Sequence, residues 1–418
     1  MTKKATGILL VVGILAGVAF KWQMLFYMGV NDMDVFYLWG KGVLKQGLPK
    51  YYPGMYYPFQ LQVFEVCAWT TAKLGAQFFT IFKLPNLLFD IGSFVLLVFL
   101  LKRQKANPAY ALLYWLHPWF LTVFSLGYVD FQFTFFVLLC VWLLHRESTR
   151  DYLLAGLPLA AAFLMKPQAQ ILVVVAFYYG LFHYVRRRDP RPFGLLAGPT
   201  LLFLAYEIWF IISRPHPWYV AARVLPASYL DVSKFSAALT AQMTNIWSPI
   251  AYLLKKPGHR IFSVSDRIHV LPHVPIKYLA AFVVLGLVGL HVWRVEQESE
   301  TSLTNKFAKI FFFAALAVPF FMTSGHENHL FLGTVFLVLF VADGVPWATK
   351  VAAQVLLFVQ FLNMYSFYGE HPPWLAHLLR RTHPDEWEVV YAVISLVCFW
   401  FVAKPLWSRR VASPSAVA

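Results

Sequence analysis

Charged side chains are scarce in this sequence. Of its 418 residues, 13% are Asp, Glu, Lys or Arg, whereas an ordinary soluble domain has about 25%. A soluble fold of this length needs charged side chains to cover its apolar surface, and here the apolar residues stand in long unbroken runs. The scarcity therefore excludes a soluble protein and predicts an integral membrane protein.

Cysteine is also rare, and the motifs of several site classes are missing. Cys67, Cys140 and Cys398 show neither a paired nor a metal-ligand spacing, so we interpret them as membrane-facing or packed thiols. The sequence has no Walker loop and no dinucleotide fingerprint, which argues against an ATP-driven pump and against an enzyme of soluble nucleotide sugars. We expect neither a metal nor another cofactor.

Long apolar runs are what the sequence has in abundance. A transmembrane helix needs about 20 mostly apolar residues, whereas a membrane barrel would show alternating segments of about ten residues. Runs such as PFGLLAGPTLLFLAYEIWFII do not alternate. We therefore predict an all-α polytopic transmembrane bundle in one domain, residues 1–418, with about twelve spans. The predicted spans lie near 6–29, 82–102, 109–126, 130–145, 152–166, 168–186, 192–213, 275–294, 306–324, 328–343, 347–367 and 387–407.

The positive charges are unevenly distributed along the chain. There are 35 Lys and Arg against 20 Asp and Glu, and many of the cations cluster in alternate connections between the predicted spans. The positive-inside rule assigns these connections to the cytoplasm, so we expect both termini to be cytoplasmic. This distribution gives no reason to expect a nucleic-acid partner. The clusters are Lys3/Lys4, Lys102/Arg103/Lys105, Arg146/Arg150, Arg186/Arg187/Arg188/Arg191, Lys306/Lys309 and Lys404/Arg409/Arg410.

The N-terminal apolar run has the character of a signal sequence. It follows Lys3 and Lys4, but no small-residue cleavage site comes after it. We therefore expect an uncleaved signal anchor that places the next connection outside the cell membrane.

Two long connections, 30–81 and 214–274, are predicted to lie outside. The first contains helix-compatible sequence, VFYLWGKGVLKQG and FQLQVFEVCAWTTAKLG, whose aromatic side chains suit the membrane interface. The same topology places a set of polar residues on the external face, and ionisable groups that converge at helix ends indicate a site. They are Asp32 and Asp34 after span 1, Asp130 at the start of span 4, Lys166 and Gln168 between spans 5 and 6, and His326, Glu327 and His329 between spans 9 and 10.

Each of these acids and the lysine also has a structural interpretation. Asp32 and Asp34 either deprotonate a hydroxyl or hold a divalent cation, or Asp34 is the N-cap of the helix VFYLWGKGVL. Lys166 either faces a phosphate or extends to the interface. Asp130 either caps span 4 or forms an ion pair with Lys166, and Asp90 is expected to pair within the bundle.

The external histidines and the loop cations have two interpretations each. His326, Glu327 and His329 either contact a phosphate or sugar or serve as loop and capping groups, and their spacing does not match a zinc-enzyme motif. The cations of the second long connection either attract a lipid phosphate or simply lie beside anionic lipid. These cations are Arg214, Arg223, Lys255, Lys256 and Arg260.

A series of short motifs follows a set order through most of the chain. The motifs are Asp34, Trp39, Gly47, Tyr51-Tyr52, Tyr56-Tyr57-Pro58, Lys83-Leu84-Pro85, Asp90, Leu116-His117-Pro118, Gly127-Tyr128-Val129-Asp130, Lys166-Pro167-Gln168, Asn245-Ile246-Trp247 and Gly325-His326-Glu327-Asn328-His329. In this order they resemble polytopic glycosyltransferases of the GT-C class, especially bacterial relatives of the glycosylphosphatidylinositol mannosyltransferases. Tyr128 stands where the family motif has Gln, and Asn328-His329 where it has Arg-Tyr.

The resemblance implies an inverting transferase on the external face of the cytoplasmic membrane. It would move a hexose, mannose by resemblance, from a polyprenyl-phosphate carrier to a lipid-linked or other exported acceptor. The resemblance implies that Asp34 is the catalytic base and that Asp32 orients it or binds the acceptor. The residues that it implies for the donor phosphate or sugar are Lys166, Gln168, His326, Glu327, His329, Asp130, Arg223, Tyr57, Asn245 and Trp247.

Two other classes of membrane protein stay open at this point. Charges at the bilayer midplane and helices broken within the bilayer would favour a transporter or flippase for a lipid or sugar. A many-span acyltransferase would need a central histidine, for which His326 is the candidate.

Overall fold

Helices make up most of the part of the protein that the structure describes. The computed structural model describes residues 3–29, 32–48, 51, 56–213, 238–299, 301–342, 344–368 and 384–407. In the first half, the helices are α1 Lys3–Met24, α2 Asp32–Gln46, α3 Pro58–Leu74, α4 Phe78–Arg103, α5 Ala111–Leu116, α6 Pro118–Leu126, α7 Asp130–Leu143, α8 Thr149–Met165, α9 Gln170–Arg187 and α10 Gly194–Ser213.

The second half continues the helical bundle. Its helices are α11 Trp247–Leu254, α12 Ile276–Glu296, α13 Leu303–Phe321, α14 Phe331–Ala342, α15 Trp347–Tyr368 and α16 Pro384–Trp407. One small antiparallel hairpin, β1 His269–Leu271 with β2 Val274–Pro275, precedes α12. Short 3₁₀ turns lie at Pro108–Tyr110, Pro167–Ala169, Arg191–Phe193, Ile261–Ser263 and Glu327–Leu330.

Several of these helices are long and apolar enough to cross a membrane. Within the described ranges seven pass this test, or eight if α5 and α6, which meet at a 48° bend, form one span. The prediction of an all-α multi-pass membrane protein is therefore confirmed at this level. A helix lies in each of the twelve predicted windows, but α7 has 14 residues. At 1.5 Å per residue it is only about 21 Å long, less than the hydrocarbon thickness.

Helix α13 occupies the centre of the bundle. Of the residues in its apolar stretch, 83% are buried inside the protein, compared with 17% for α1 at the periphery. Its side chains pack against α7, α9, α12, α14 and α16. Because lipid already solvates apolar surface, this burial reflects close packing of side chains rather than exclusion from water.

The first long connection folds into a helical hairpin, made of α2 and α3 and called the first-loop hairpin here. The rings of Phe36 and Phe64 stack with centroids 4.6 Å apart, and Phe82 at the start of α4 packs against both. Both helices expected in this connection are thus present. Helix α2 begins at Asp32, so Asp34 lies in its first turn and the predicted N-cap position is wrong. A carboxylate in the first turn still stabilises the positive helix end.

The described part of the second long connection is fastened to the start of α16. Asp385 accepts hydrogen bonds from Lys255 Nζ at 2.7 Å and from Arg260 Nε at 2.6 Å. The single carboxylate compensates one of these two positive charges, and the attraction of a lipid phosphate by these cations stays a prediction. Arg214 and Arg223 lie outside the described residues.

A buried ion pair links the first helix to the middle of α4. Lys21 Nζ lies 2.5 Å from Asp90 Oδ2, Tyr114 donates to the other carboxylate oxygen at 2.6 Å, and both charged side chains are fully buried. The Lys21 ammonium also lies 3.6 Å from the ring centre of Trp115. The prediction that Asp90 pairs within the bundle is confirmed, and both of its oxygens are occupied by protein groups.

Two glycines allow α8 and α10 to cross at very short range. A Cβ atom at Gly198 would lie 2.3 Å from the carbonyl carbon of Gly156, and one at Gly156 would lie 2.7 Å from the carbonyl oxygen of Leu195. Such small-residue contacts let the backbones of membrane helices approach closely.

Replacing Gly198 with Leu should therefore force the two helices apart. We expect Gly198→Leu to lower the free energy of unfolding by about 1–3 kcal/mol or more, the range for overpacked cores. Thermal unfolding in detergent micelles measures this change. The matched control is Gly286→Leu in α12, where an added Cβ meets no atom within 4 Å. Equal melting temperatures for the two variants would contradict the close crossing.

The crossing of α4 can be tested with introduced cysteines. All three native cysteines are buried, and burial raises the pKa of the Cys67 thiol to about 12, so the native thiols should stay unreactive at pH 8. Lys73 before α4 and Lys102 near its end are both exposed, and the 26 residues of α4 span about 39 Å. We expect Lys73→Cys and Lys102→Cys to react with a membrane-impermeant maleimide from opposite sides. Labelling of both from one side would show that α4 does not cross.

Candidate functional site

Three motif segments that are far apart in sequence meet at one end of the bundle. Asp130 Oδ1 lies 2.7 Å from Lys166 Nζ, and Asp130 Oδ2 accepts a hydrogen bond of 2.9 Å from Asn328 Nδ2. All three side chains are buried. We call Asp130, Lys166 and Asn328 the Asp130 cluster. The predicted ion pair between Asp130 and Lys166 is confirmed, so Lys166 does not extend to the interface.

Helix ends position the two charges of this cluster. Asp130 lies in the first turn of α7, where a carboxylate interacts favourably with the positive helix end. Lys166 is the C-cap of α8, at the negative end, and Pro167 follows it and starts a 3₁₀ turn. The proline disfavours helical backbone at Lys166, whose φ of −139° and ψ of 135° are extended, so α8 ends there.

The segment before Asp130 is held by a lysine that binds backbone. Lys83 Nζ donates to the carbonyl oxygens of Met24, Tyr27 and Ser125, at 3.1, 2.5 and 2.5 Å. These carbonyls lie at or beyond the ends of α1 and α6, so one ammonium group joins three chain segments. Lys83 is therefore a structural cation at this end of the bundle.

Gly127 brings the first-loop hairpin against the same segment. Its φ of +76° lies in the left-handed region, and a Cβ atom there would lie 2.0 Å from Met33 Cε. Met33 belongs to α2, and it shares a buried apolar cluster with Val129. Since Met33 separates Asp32 from Asp34 and Val129 precedes Asp130, the two predicted carboxylates lie at the same end of the bundle as the Asp130 cluster.

The two carboxylates of α2 differ in exposure. Asp34 is exposed and Asp32 is half-buried, with Asp32 engaged in an interaction with the surrounding protein. The exposed carboxylate of Asp34 forms no hydrogen bond or ion pair with the described part of the chain. Asp34 thus has the accessibility that proton transfer from a bound hydroxyl requires.

Buried amides without partners flank the contact between α3 and the end of α8. Tyr57, which precedes α3, is fully buried, and its hydroxyl accepts a hydrogen bond from Gln170. One turn into α3, both side-chain polar atoms of Gln60 are buried and have no hydrogen-bond partner within the described residues, and Gln168 Oε1 is in the same state. Buried polar atoms are almost always paired, so these amides lack the partners that such atoms usually have.

The histidine motif forms a closed turn next to the Asp130 cluster. His326 caps the 3₁₀ turn Glu327–Leu330, its backbone N–H donates to His329 Nδ1 at 3.2 Å, and the two rings are 5.3 Å apart. His329 is close enough to Lys166 to interact with it electrostatically. His326 is thus the N-cap residue of this turn and is half-buried at the cluster, and its predicted contact with a phosphate or sugar stays a prediction. The side chain of Glu327 lies outside the described residues.

Asn245 and Trp247 are occupied in fastening the end of α13. Asn245 Nδ2 donates to the carbonyls of Pro319 and Met322 at 3.2 and 3.4 Å, and Trp247 Nε1 donates to that of Phe321 at 2.8 Å. The last carbonyls of a helix need such partners. The two residues therefore position the turn that carries His326 and Asn328, while their predicted contact with the donor stays a prediction.

Sequence reasoning missed three amides of this region. Asn328 was noted only as a departure from the family motif, yet it donates directly to Asp130. Asn86 donates to the carbonyl of Tyr128 at 3.1 Å and accepts from Gln132 at 2.7 Å. The available signal was a carboxamide inside a predicted span, since such a group needs a partner there.

No family model matches the chain, and no curated protein matches it. Across the described ranges, no three His, Cys, Asp or Glu side chains form a group suited to a metal ion.

Removing the charge of Asp130 should leave Lys166 buried and uncompensated. We expect Asp130→Asn to lower the free energy of unfolding by about 3–5 kcal/mol, and the double variant Asp130→Asn/Lys166→Met to recover most of the loss. Unfolding in mixed micelles measures both. The control is Glu147→Gln, which breaks the exposed Arg187–Glu147 pair, with side chains 36% and 34% exposed, and should cost under about 1 kcal/mol. If Asp130→Asn lowered the free energy of unfolding by no more than the control does, the buried pair would contribute nothing to stability.

Proposed function

We propose that this protein is a membrane glycosyltransferase of the GT-C type. It transfers a hexose, mannose by resemblance, from a polyprenyl-phosphate carrier to a lipid-linked or other exported acceptor, with inversion at the anomeric carbon. The observation that carries the proposal is the Asp130 cluster, in which residues of three of the family-like motifs are hydrogen-bonded although 198 positions separate Asp130 from Asn328.

Convergence of these motifs supports a shared chemical task. Buried charges are costly in a membrane protein, and they persist mainly where they pair or act on a substrate. A structural ion pair would be enough to account for the Asp130 cluster alone. Three further features next to it favour a site: the exposed carboxylate of Asp34, the unpartnered amide oxygen of Gln168, and the half-buried imidazole of His326.

In the proposed reaction, Asp34 is the general base. Its carboxylate accepts the proton of the acceptor hydroxyl while the hydroxyl oxygen attacks the anomeric carbon. The bond between that carbon and the phosphate oxygen breaks, and the polyprenyl phosphate leaves with the bonding electron pair. Positioned general bases contribute about 10²–10⁴-fold to such rates.

The leaving phosphate needs positive or hydrogen-bonding groups around it. We assign this role to Lys166, Gln168 and His326. Asp130 acts as a positioning residue, because its carboxylate holds the Lys166 ammonium at the end of α8. Asn328 in turn fixes the second oxygen of that carboxylate.

The proposed topology has twelve crossings, with both termini in the cytoplasm and the Asp130 cluster on the external side. In this orientation Lys73 would be labelled from outside and Lys102 from inside. The polyprenyl chain needs an apolar path beside the site, and we assign it to the aromatic surface of α15, where Phe358 is exposed and the rings of Phe361 and Tyr365 are 5.7 Å apart.

A transfer assay with purified full-length protein tests the function. Radiolabelled polyprenyl-phosphate mannose is incubated with a panel of lipid-linked and glycan acceptors, and covalent product is separated from donor. We expect Asp34→Asn to lower turnover by about 10²-fold or more without lowering the melting temperature. The control Glu386→Gln neutralises an exposed carboxylate at the start of α16 and should keep wild-type turnover.

Two outcomes would contradict this proposal. Near-wild-type turnover of Asp34→Asn would remove Asp34 as the base. Movement of the labelled lipid across liposome membranes without covalent transfer would show a transporter. The one charge pair in the middle of α4 does not favour that alternative, since both oxygens of Asp90 are already bound by Lys21 and Tyr114.

A further inference from the structure

A large cavity opens at the end of the bundle opposite the Asp130 cluster. Its volume is about 1700 Å³, and it lies among the ends of α4, α12, α14 and α16 and the starts of α13 and α15. Asn328 of the Asp130 cluster lies beyond the other end of α13, a helix of 19 residues and about 28 Å. The cavity is therefore separate from the candidate functional site.

Cations line the mouth of this cavity. The described lining contains five of them and a single acid, Glu298, which is bound by Lys309 Nζ at 2.6 Å and Thr301 Oγ1 at 2.8 Å. The other four cations form no ion pair within the described part of the chain. They are Arg103, Lys105, Arg294 and Lys404. We call the whole feature the cationic cavity.

Buried cations elsewhere in the bundle bind either a carboxylate or, as Lys83 does, main-chain carbonyls. Lys21 and Lys166 each bind a buried carboxylate, and Glu296 binds Arg186 at 3.0 Å. Arg103 and Arg294 instead donate to main-chain carbonyls, Arg103 to that of Trp142 at 2.7 Å. Lys105 and Lys404 are exposed. The described lining of the cavity therefore carries a net positive charge.

Part of the lining of the cationic cavity is apolar. It includes Phe312, Phe336, Leu339 and Phe340, and Leu290, which is 51% exposed at the surface of the bundle. A ligand that fills this space needs an apolar body and an anionic end. The volume exceeds the range of about 300–1000 Å³ that is usual for small-molecule sites.

We propose that the cationic cavity binds an anionic membrane lipid. The phosphate of its headgroup lies between Lys105, Lys404 and the two arginines, and its chains lie against the apolar part of the lining. The position at helix ends matches the level of lipid headgroups, and basic pockets between transmembrane helices bind such headgroups. The proposal is independent of the transferase function, because the two sites lie at opposite ends of the bundle.

Native mass spectrometry of the full-length protein tests this binding. The delipidated protein in detergent is titrated with phosphatidylglycerol, and in parallel with phosphatidylcholine and with inorganic phosphate. We expect a saturable complex with phosphatidylglycerol, at least tenfold weaker binding of phosphatidylcholine, and no competition by millimolar phosphate. We expect Lys105→Gln/Lys404→Gln to weaken phosphatidylglycerol binding about tenfold or more, since each cation near a lipid surface contributes measurably.

The matched control removes two exposed lysines at the other end of the protein. Lys45→Gln/Lys73→Gln lowers the net charge by the same amount and should keep wild-type affinity. An equal loss in the control, or equal binding of the two lipids, would reduce the effect to general charge or apolar attraction and overturn the proposal. Full competition by inorganic phosphate would do so too, because it would show a site for the free anion.

Discussion

An ionised side chain loses its hydration when helices bury it, and only an opposite charge or several hydrogen bonds offset the several kcal/mol that this costs. The bundle depends on this constraint in three places. Lys21 with Asp90 joins α1 to α4, Lys166 with Asp130 joins α8 to α7, and Glu296 binds cations of α9. Removing one partner would leave the other as a buried charge without compensation. Each pair therefore specifies which helices are neighbours more strictly than apolar packing does.

The two ends of the bundle use the same constraint differently. At the Asp130 cluster a carboxylate holds the lysine, and an asparagine from a third segment completes its hydrogen bonds. At the cationic cavity the arginines donate to main-chain carbonyls and form no ion pair within the described residues. The proposed glycosyl transfer would use the first arrangement to position groups around a substrate, and the proposed lipid site would use the second to attract an anion.

Several motif residues around the candidate site form structural contacts. Asn245 and Trp247 fasten the last turn of α13, and so determine where His326 and Asn328 lie. Lys83 donates hydrogen bonds to three carbonyl oxygens and so holds the segment that ends in Asp130. Motif residues therefore need not touch a substrate to be required for it. The exposed Asp34, by contrast, contributes nothing visible to packing.

The sequence by itself determined that this is a membrane protein, because scarce charged residues and long apolar runs show which solvent the chain prefers. This preference does not depend on tertiary contacts. The sequence also predicted the helices of the first-loop hairpin. It predicted the pairing of Asp130 with Lys166 as well, since both residues lie at helix ends and Pro167 is a local signal for one of these ends. Only the tertiary structure decided that Lys21 is the partner of Asp90, that Asn328 completes the Asp130 cluster and that Lys255 binds Asp385. These partners lie 69 to 198 positions apart. A charge or amide announces its need for a partner locally, but which group meets that need depends on how the helices pack.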